Sequence, residues 1–457
     1  MQEEIETEEA TEAREKCQQE AMSKMSTEKK EETEKIEITY QQQSQEAQDR
    51  TFMERAIELA RQGEGWTSPN PMVGAVIVKD GRIIGEGYHK RCGELHAERN
   101  AIASLRESAE GATIYVTLEP CCHQGRTPPC TEAILEQKIG RVVIGSRDPN
   151  PKVAGKGARL LREAGVLVEE DFMREACDRL NPIFFHYITT KTPYVVLKYA
   201  MTADGKIATR TGASKWITGE ASRAEVQNMR HRYTGIMVGI GTVLADDPML
   251  NTRISGKRSP VRIICDSRLR IPLDSQIVKT AKEYPTIVAY VGECSNDEKT
   301  TKSRRCSETG KWMNDEICQK DLSEDLEDKR EVYSDTDDAF QKKIQELENQ
   351  GVRVVRIPGK DGKVDLKKLM EYLGEQEIDS VLLEGGGALN ESALRAGIVQ
   401  HVSVFVAPKI FGGEAAKSPV RGLGVEVPDE AVKLKLQEVR KFEEDLLLEY
   451  DIENERQ

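Results

Sequence analysis

Three residues able to hold a metal stand close together in this chain: His96, in His96-Ala97-Glu98; Cys121, in Glu119-Pro120-Cys121; and Cys130, in Thr127-Pro128-Pro129-Cys130. One imidazole and two thiolates hold a zinc ion and leave its fourth position for water. Zinc lowers the pKa of such a water towards neutrality, so hydroxide is available without a strong base. Glu98 is placed to take the water's proton, protonate a ring nitrogen and help an exocyclic amine leave as ammonia. It is not itself expected to bind the metal. Structural zinc usually has four protein ligands, so three donors with a carboxyl group beside them point to an open, hydrolytic site.

Such ligands need elements that bring them together. Phe52, Ala56, Leu59 and Ala60 recur at helical spacing and predict an opening amphipathic helix from Thr51. Strands are predicted over 73–78 and 82–87, around the turn Asp80-Gly81, and then over 112–118 and 141–145. Helices are predicted over 97–108, 131–137 and 156–165. His96 and Glu98 then open one helix, Cys130 opens another, and Cys121 sits in the loop after a strand. Helix starts carry unpaired N–H groups that favour a thiolate, and the donors converge at one edge of a sheet. Cys122 and His123 are rival ligands on the same loop. Cys121 and Cys130 are preferred because adjacent residues seldom both face one metal; His123 suits the pocket wall or the substrate.

The 457 residues are too many for one ordinary core and suggest two domains. The net charge of -13 disfavours a nucleic-acid partner, since such binding draws on Lys and Arg neutralising phosphates. No apolar run reaches the length of a membrane span, and the ten cysteines show no disulfide-framework spacing, so a reducing cytoplasm is expected. Residues 1–50 hold fifteen acidic and seven basic side chains and read as a disordered acidic tail. The first domain is assigned to 51–192 and the second to 193–457. The polar stretch at about 295–338, which includes Cys306 and Cys318, reads as a surface insertion with too few ligands for a second metal site.

In the second domain the strand candidates are 194–199, 236–239, 261–265, 286–291, 352–357, 380–384 and 402–406, with helices between several of them. They predict a largely parallel α/β sheet, closed by two antiparallel segments near 432–440 and 445–452. Gly385-Gly386-Gly387 follows a strand and precedes a helix, a place where chain and phosphate can approach closely. There is no G-x-G-x-x-G, so an ordinary Rossmann dinucleotide fingerprint is not supported.

The run Glu119 to Cys130, with Ser68-Pro69-Asn70-Pro71-Met72-Val73-Gly74-Ala75 and Gly87-Tyr88-His89, resembles the bifunctional riboflavin-biosynthesis deaminase/reductase family, the RibD type. Lys198 to Ala208, Ser214 to Thr218, Gly239 to Pro248 and Glu384 to Gly387 resemble its reductase half. The likeness spans about 51–295 and 340–452; the tail and the insertion depart from it. It implies a cytidine-deaminase-like three-layer domain followed by a dihydrofolate-reductase-like domain. It implies zinc on His96, Cys121 and Cys130, with Glu98 as proton shuttle, and substrate contacts at Asn70, His89 and Arg126. In the second domain it implies NADPH at Ala200, Trp216, Thr242, Asp246 and Ser267, and along the turn Gly386, Gly387, Ala388, Leu389, Asn390, Glu391 and Ser392. Substrate contacts fall at Ser214, Leu250, Arg253 and Glu384. Arg268 could favour the 2′-phosphate of NADP, and Lys198 could assist ribose ring opening. The substrate would be a small pyrimidine ribosyl phosphate, and the enzyme a homo-oligomer. Two other readings keep the same motif: a nucleic-acid base deaminase, which the acidic balance disfavours, and a non-catalytic zinc scaffold.

Overall fold

The structure is a computed structural model that describes residues 43–124, 128–151, 153–291 and 334–453. The chain divides into two compact units between Asn181 and Pro182. The division precedes the expected boundary at 192, because helix Pro182–Thr190 packs Ile183 into the second unit's core.

The first unit opens with helix α1 over 43–61. It continues with strands β1 (Gly74–Lys79) and β2 (Arg82–Tyr88), helix α2 (Ala97–Ala103), β3 (Thr113–Leu118), α3 (Cys130–Glu136), β4 (Arg141–Ser146), α4 (Lys156–Glu163), β5 (Leu167–Glu169) and α5 (Arg174–Asp178). The sheet order is β2-β1-β3-β4-β5. β1 runs antiparallel to β2 and β3, whereas β3, β4 and β5 are parallel. Strand alternation sends Val76, Val78, Tyr115 and Val143 to one face, where Met53, Ala56 and Ala60 of α1 cover them. Helix α2 crosses the opposite face so closely that a Cβ on Gly87 would lie 2.5 Å from the Ala101 nitrogen. The result is the expected three layers.

Two local readings change. Helix α2 stops at Ala103 instead of 108, because the Ser104 hydroxyl turns back to the Glu86 backbone of β2 and to the Ala101 carbonyl. The acidic tail does not run to residue 50, because α1 already includes 43–50. Asp49 is 2% exposed and accepts hydrogen bonds from Arg141 Nη1 at 2.9 Å and Nη2 at 2.6 Å, and from the Tyr115 hydroxyl. Its acidic neighbours in sequence concealed a carboxylate that locks the first helix to the sheet. Residues 1–42 lie outside the described residues.

The second unit is built on α6 (Pro182–Thr190), β6 (Tyr194–Thr202), α7 (Glu220–Arg232), β7 (Gly235–Gly239), α8 (Ile240–Asp246), β8 (Val261–Cys265), α9 (Gln276–Lys279) and β9 (Thr286–Val291). After the undescribed stretch come α10 (Ser334–Asn349), β10 (Val352–Ile357), the ribbon β11 (Gly359–Lys360) and β12 (Lys363–Val364), α11 (Leu366–Glu375), β13 (Ser380–Leu383) and α12 (Gly387–Arg395). β14 (His401–Ala407), β15 (Leu434–Phe442) and β16 (Asp445–Ile452) close the fold. The large sheet has the order β10-β9-β8-β7-β13-β6-β14-β16-β15. Its strands are parallel from β10 to β14, and β16 and β15 then add antiparallel edges, as the sequence pattern predicts. Helices α11 and α12 pack Leu369, Leu373 and Ala393 on one face, and α9 and α10 place Ile277, Val278 and Leu347 on the other. The insertion expected to reach 338 ends earlier, because α10 begins at Ser334. Its remainder, with Cys306 and Cys318, lies outside the described residues. Among the described residues no helix is long and apolar enough to cross a membrane.

Asp49 supplies a test of the revised start. Burial works against its charge, yet the hydrogen bonds from Arg141 and Tyr115 hold its carboxyl below the usual range. The depressed value makes its stabilisation complete above the unfolded pKa and lost as pH falls through the folded one. Asp49→Ala is expected to cost about 2 kcal/mol near neutral pH, less than a fully buried pair because Arg141 keeps some solvent contact. In urea titrations the gap to wild type should narrow below about pH 4; a gap of the same size there would contradict the ion-pair account.

Candidate metal centre and candidate reductase cavity

Helix α2 begins at Ala97, so His96 is its N-cap residue and Glu98 lies in its first turn. Helix α3 begins at Cys130 itself, behind Pro129. Cys121 leaves the end of β3 and is fastened to α3 twice: its sulfur accepts from the Cys130 N–H at 3.3 Å and its carbonyl accepts from the Thr131 N–H. The two sulfurs lie 3.5 Å (Cys121) and 3.4 Å (Cys130) from His96 Nδ1. The three donor atoms all fall within 4.8 Å of one another, and this is the one such cluster among the described residues. One nitrogen and two sulfurs within that span form the donor set that zinc takes. Cys122 and His123 are outside the cluster, as preferred from the sequence.

The electrostatics of the cluster follow from burial and crowding. Contact with Cys130, followed by the opposing effect of burial and then His96, leaves the Cys121 thiol at about 4, an easily formed thiolate. The Cys130 thiol is pushed up, first by that neighbouring sulfur and then by burial. Glu98 is 3% exposed, and burial pushes its carboxyl up to about 7, with the Cys121 charge adding to the shift. Its carboxyl group touches the Cys130 thiol. A carboxyl group of that acidity releases and regains a proton readily at neutral pH.

Asn70 and His89 meet beside the cluster. Asn70 Nδ2 is 3.3 Å from His89 Nε2, and the His89 ring stands edge-on to His96 with centroids 5.5 Å apart. His89 Nδ1 lies 3.0 Å from the Leu95 carbonyl, which assigns the proton to Nδ1 and leaves Nε2 as an acceptor. Burial lowers the pKa of His89, so its ring is neutral. Arg126 lies outside the described residues. The sequence did not single out Glu119, whose buried carboxylate accepts from the N–H groups of Gly155, Gly157 and Ala158 and ties the approach to Cys121 to the start of α4. It also missed Asp148, whose carboxyl burial pushes up to about 6. The only available signal was their position at strand ends.

In the second unit a cavity of about 680 Å³ opens at the carboxyl ends of the neighbouring parallel strands β7 and β13. Ser214, Trp216, Thr242, Asp246, Leu250 and Arg253 line it, and Glu384 and the turn Gly386 to Leu389 complete the wall. Other predicted contacts are elsewhere. Ala200 packs into the core around Val196 and Phe405. Ser267 sits off the wall, its hydroxyl accepting from the Val364 N–H. Asn390 is fully buried and donates to the Pro419 carbonyl, Glu391 pairs with Arg395, and Ser392 follows on the same helix away from the cavity. Of α12, Gly387, Ala388 and Leu389 line the space, and the rise of the helix carries the residues after them away from it. Arg268 is exposed and is not on the wall either.

The wall also carries Arg230, which the sequence reading overlooked. Its guanidinium meets Glu384 in a fork, Nε to Oε1 at 3.1 Å and Nη2 to Oε2 at 3.0 Å, while Lys198 Nζ stands 3.8 Å from Oε2. Burial opposes the Glu384 charge, but the two cations outweigh it and hold the carboxyl at about 2. Burial lowers the pKa of Lys198 against the pull of Glu384. Arg230 occupies a polar helix where nothing local distinguishes it; only the fold brings it to Glu384.

Residues 46–146 match the family described as the cytidine and deoxycytidylate deaminase zinc-binding region, and residues 193–448 match the RibD C-terminal domain. The chain is 52% identical over 402 residues to the riboflavin biosynthesis protein RibD of Actinobacillus pleuropneumoniae, covering 88% of this chain and 95% of the relative. It is 37% identical over 418 residues to RibD of Escherichia coli, covering 88% and 98%. Among solved structures it is similar to Acinetobacter baumannii RibD, with a TM-score of 0.72, 34% identity and coverage of 90% and 100%. It is also similar to a Thermotoga maritima diaminohydroxyphosphoribosylaminopyrimidine deaminase/5-amino-6-(5-phosphoribosylamino)uracil reductase, with a TM-score of 0.70, 35% identity and coverage of 89% and 99%.

The donor geometry carries its own test. Purified protein is expected to contain about one zinc per chain by elemental analysis, and Cys130→Ser to lower that content severely. Undiminished zinc in Cys130→Ser would remove this sulfur from the centre.

Proposed function

The chain belongs to the riboflavin-biosynthesis deaminase/reductase family, whose members are bifunctional enzymes, and on that premise we propose both reactions and the residues that perform them. The first unit removes the 2-amino group of 2,5-diamino-6-(5-phosphoribosylamino)pyrimidin-4-one by hydrolysis. The second reduces the ribosyl group of 5-amino-6-(5-phosphoribosylamino)uracil to ribityl with NADPH. The observation that carries the reading is the buried Glu98 carboxyl, poised at about 7 against a His96, Cys121 and Cys130 donor set.

When bound by His96, Cys121 and Cys130, zinc supplies the acidification of water that hydrolysis at neutral pH requires. Glu98 takes a proton from the attacking water and passes it to the pyrimidine ring nitrogen. It then takes the proton of the newly added hydroxyl and gives it to the departing amine, so that the C–N bond breaks and ammonia leaves. The neutral His89 and Asn70 hold the ring, His89 accepting through Nε2. Arg126 remains the proposed partner of the ribose phosphate.

The cavity of the second unit suits a dinucleotide. Its wall is open backbone at Gly241 and Gly386, where an added Cβ would meet nothing within 4 Å or only Thr242 Oγ1 at 3.6 Å, and the starts of α8 and α12 face it. NADPH supplies the hydride when bound. Trp216, Thr242, Asp246 and Gly386 to Leu389 hold it. Ser214, Leu250, Arg253 and Glu384 hold the ribosyl phosphate, with Arg253 on the phosphate and Glu384 accepting from sugar hydroxyls. Lys198 delivers the proton that the ring oxygen needs as hydride reaches C1′ and the C1′–O bond opens. Cys92, Cys121, Cys122, Cys130, Cys177 and Cys265 are free thiols, which supports a reducing cytoplasm. A second copy of the chain is the proposed partner: the edge strand β15 leaves Leu434, Leu436 and Val439 exposed beside an unpaired strand edge, and two-fold pairing would cover both at once. Leu436→Lys is then expected to shift the protein to monomer in light scattering; an unchanged mass would remove β15 from the contact.

The two reactions are separable in one assay. Wild type should release ammonia from the diaminopyrimidine and then oxidise NADPH. Glu98→Gln should lose ammonia release by at least about a thousandfold, keep its zinc, and still oxidise NADPH when given the deaminated uracil. Deamination at the wild-type rate in Glu98→Gln would end the assignment.

A further inference from the structure

Arg262, on β8, is fully buried, the largest side chain among the described residues to be so. No described carboxylate is hydrogen-bonded to it, although the Tyr284 ring oxygen and the Glu283 charge favour its ionised form. All five of its N–H groups are nevertheless taken up by neutral oxygens. Nε donates to Thr286 Oγ1 at 3.0 Å, and Nη2 donates to the carbonyls of Ile277 at 2.8 Å and Tyr284 at 3.0 Å. Nη1 donates to Thr280 Oγ1 at 2.8 Å and to the Met249 carbonyl at 3.2 Å. Burial pulls the guanidinium only to about 10, so it remains a cation. An uncompensated buried charge is costly, and apolar residues of similar volume generally fill such a position at least as well. What they cannot do is tie five acceptors on separate segments to one rigid plane.

One of those segments is the cavity wall. Met249, Leu250 and Arg253 all line the cavity. Leu250 has φ 54, a left-handed conformation that a leucine holds only when its surroundings over-determine it. The Met249 carbonyl belongs to the peptide group that enters Leu250, so the bond from Arg262 fixes the plane about which that conformation turns. The same guanidinium grips α9 at Ile277 and Thr280, and α9 holds the other end of the loop, where Gln276 Nε2 donates to the Asp247 carbonyl at 2.8 Å. From above, Arg230 Nη1 donates to the Asn251 carbonyl at 3.2 Å. The loop is thus pinned on its solvent side by residues of the cavity and on its buried side by Arg262.

We propose that Arg262 is a positioning residue for the reductase substrate: it sets the loop 247–253 so that Leu250 and Arg253 present a ready-made seat for the ribose phosphate. This rests on the reading of Arg253 as the phosphate contact. Arg262 touches neither substrate nor cofactor, and its effect is confined to the substrate end of the cavity, because the turn Gly386 to Leu389 belongs to α12 and makes no bond to it.

The test uses the full-length, zinc-loaded enzyme and two variants, Arg262→Lys and Arg262→Met. Arg262→Met should raise the KM for 5-amino-6-(5-phosphoribosylamino)uracil about tenfold, with kcat, the KM for NADPH and the deaminase rate all within about threefold of wild type. Arg262→Lys, which keeps the charge and three donors, should recover part of the loss. Amide hydrogen exchange should quicken in 247–253 and stay unchanged in β6 and β13. If Arg262→Met does not fold, Thr280→Val removes one partner of the same Nη1 and should give the same pattern in smaller measure. Unchanged exchange in the loop overturns the positioning role. Quickened exchange with an unchanged substrate KM overturns its link to binding, provided Arg253→Ala raises that KM. If Arg253→Ala leaves the KM unchanged, the phosphate-contact reading has failed instead.

Discussion

His96, Cys121 and Cys130 can meet only if two helices begin at the same end of one sheet, and the first unit is arranged around that constraint. α2 starts immediately after the imidazole and α3 starts on the second thiol, so both helices offer unpaired N–H groups where negative charge collects. The Cys130 amide already serves this purpose by donating to the Cys121 sulfur. The parallel pairing of β3 with β4 follows from the same need: a parallel strand requires a crossover, and the crossover helix is α3. Glu98 owes its acidity to this packing as well. In water its carboxyl would be ionised at neutral pH; burial beside the Cys121 charge raises its pKa to about 7, which suits a group that must both take and give a proton.

The second unit solves a different problem with the same geometry. The dinucleotide and sugar phosphate proposed for it would need a long cavity with cations at intervals, and the carboxyl ends of β7 and β13 provide glycine turns and two helix starts in one place. The cost lies in burying charge. Glu384 is tolerable only because Arg230 forms a fork with it and Lys198 stands nearby, and Arg230 in turn holds the loop at Asn251. Binding and support are therefore the same interactions here, so few cavity side chains can change without moving a neighbour.

How much of this was readable in the sequence depended on whether the signal was local. The donor triad was legible because helix starts and strand ends impose order and spacing on His96, Cys121 and Cys130, and the strands were legible because apolar runs such as Val261 to Cys265 are bounded by Pro and Asp. Arg262 is the counterexample inside that run: the pattern Val-Arg-Ile-Ile-Cys reads as an ordinary strand with one outward cation, yet the arginine is fully buried. Asp49 was lost for a similar reason. Fourteen other acids precede it in the first fifty residues, and composition averages away the one carboxylate that meets Arg141 and Tyr115. Arg230 and Glu119 act through partners more than thirty positions away, Glu384 and Gly155 among them, so no window of sequence contains the interaction. The turn after Gly386 differs: the run of consecutive contacts expected there continues into α12, where the rise of the helix takes Asn390 to Ser392 off the cavity wall.

Net charge provides a last lesson in scale. A chain at -13 repels polyanions at long range, which disfavours nucleic acid as the partner of its zinc motif. Yet the cavity of the second unit gathers five cations, Lys215, Arg230, Arg253, Lys417 and Arg421, against three carboxylates, Glu384, Asp246 and Asp247. The two facts are compatible because screening limits a charge's reach to about 8 Å in physiological salt. A net charge summed over the whole chain therefore says little about the field that a small phosphorylated ligand would meet inside one cavity.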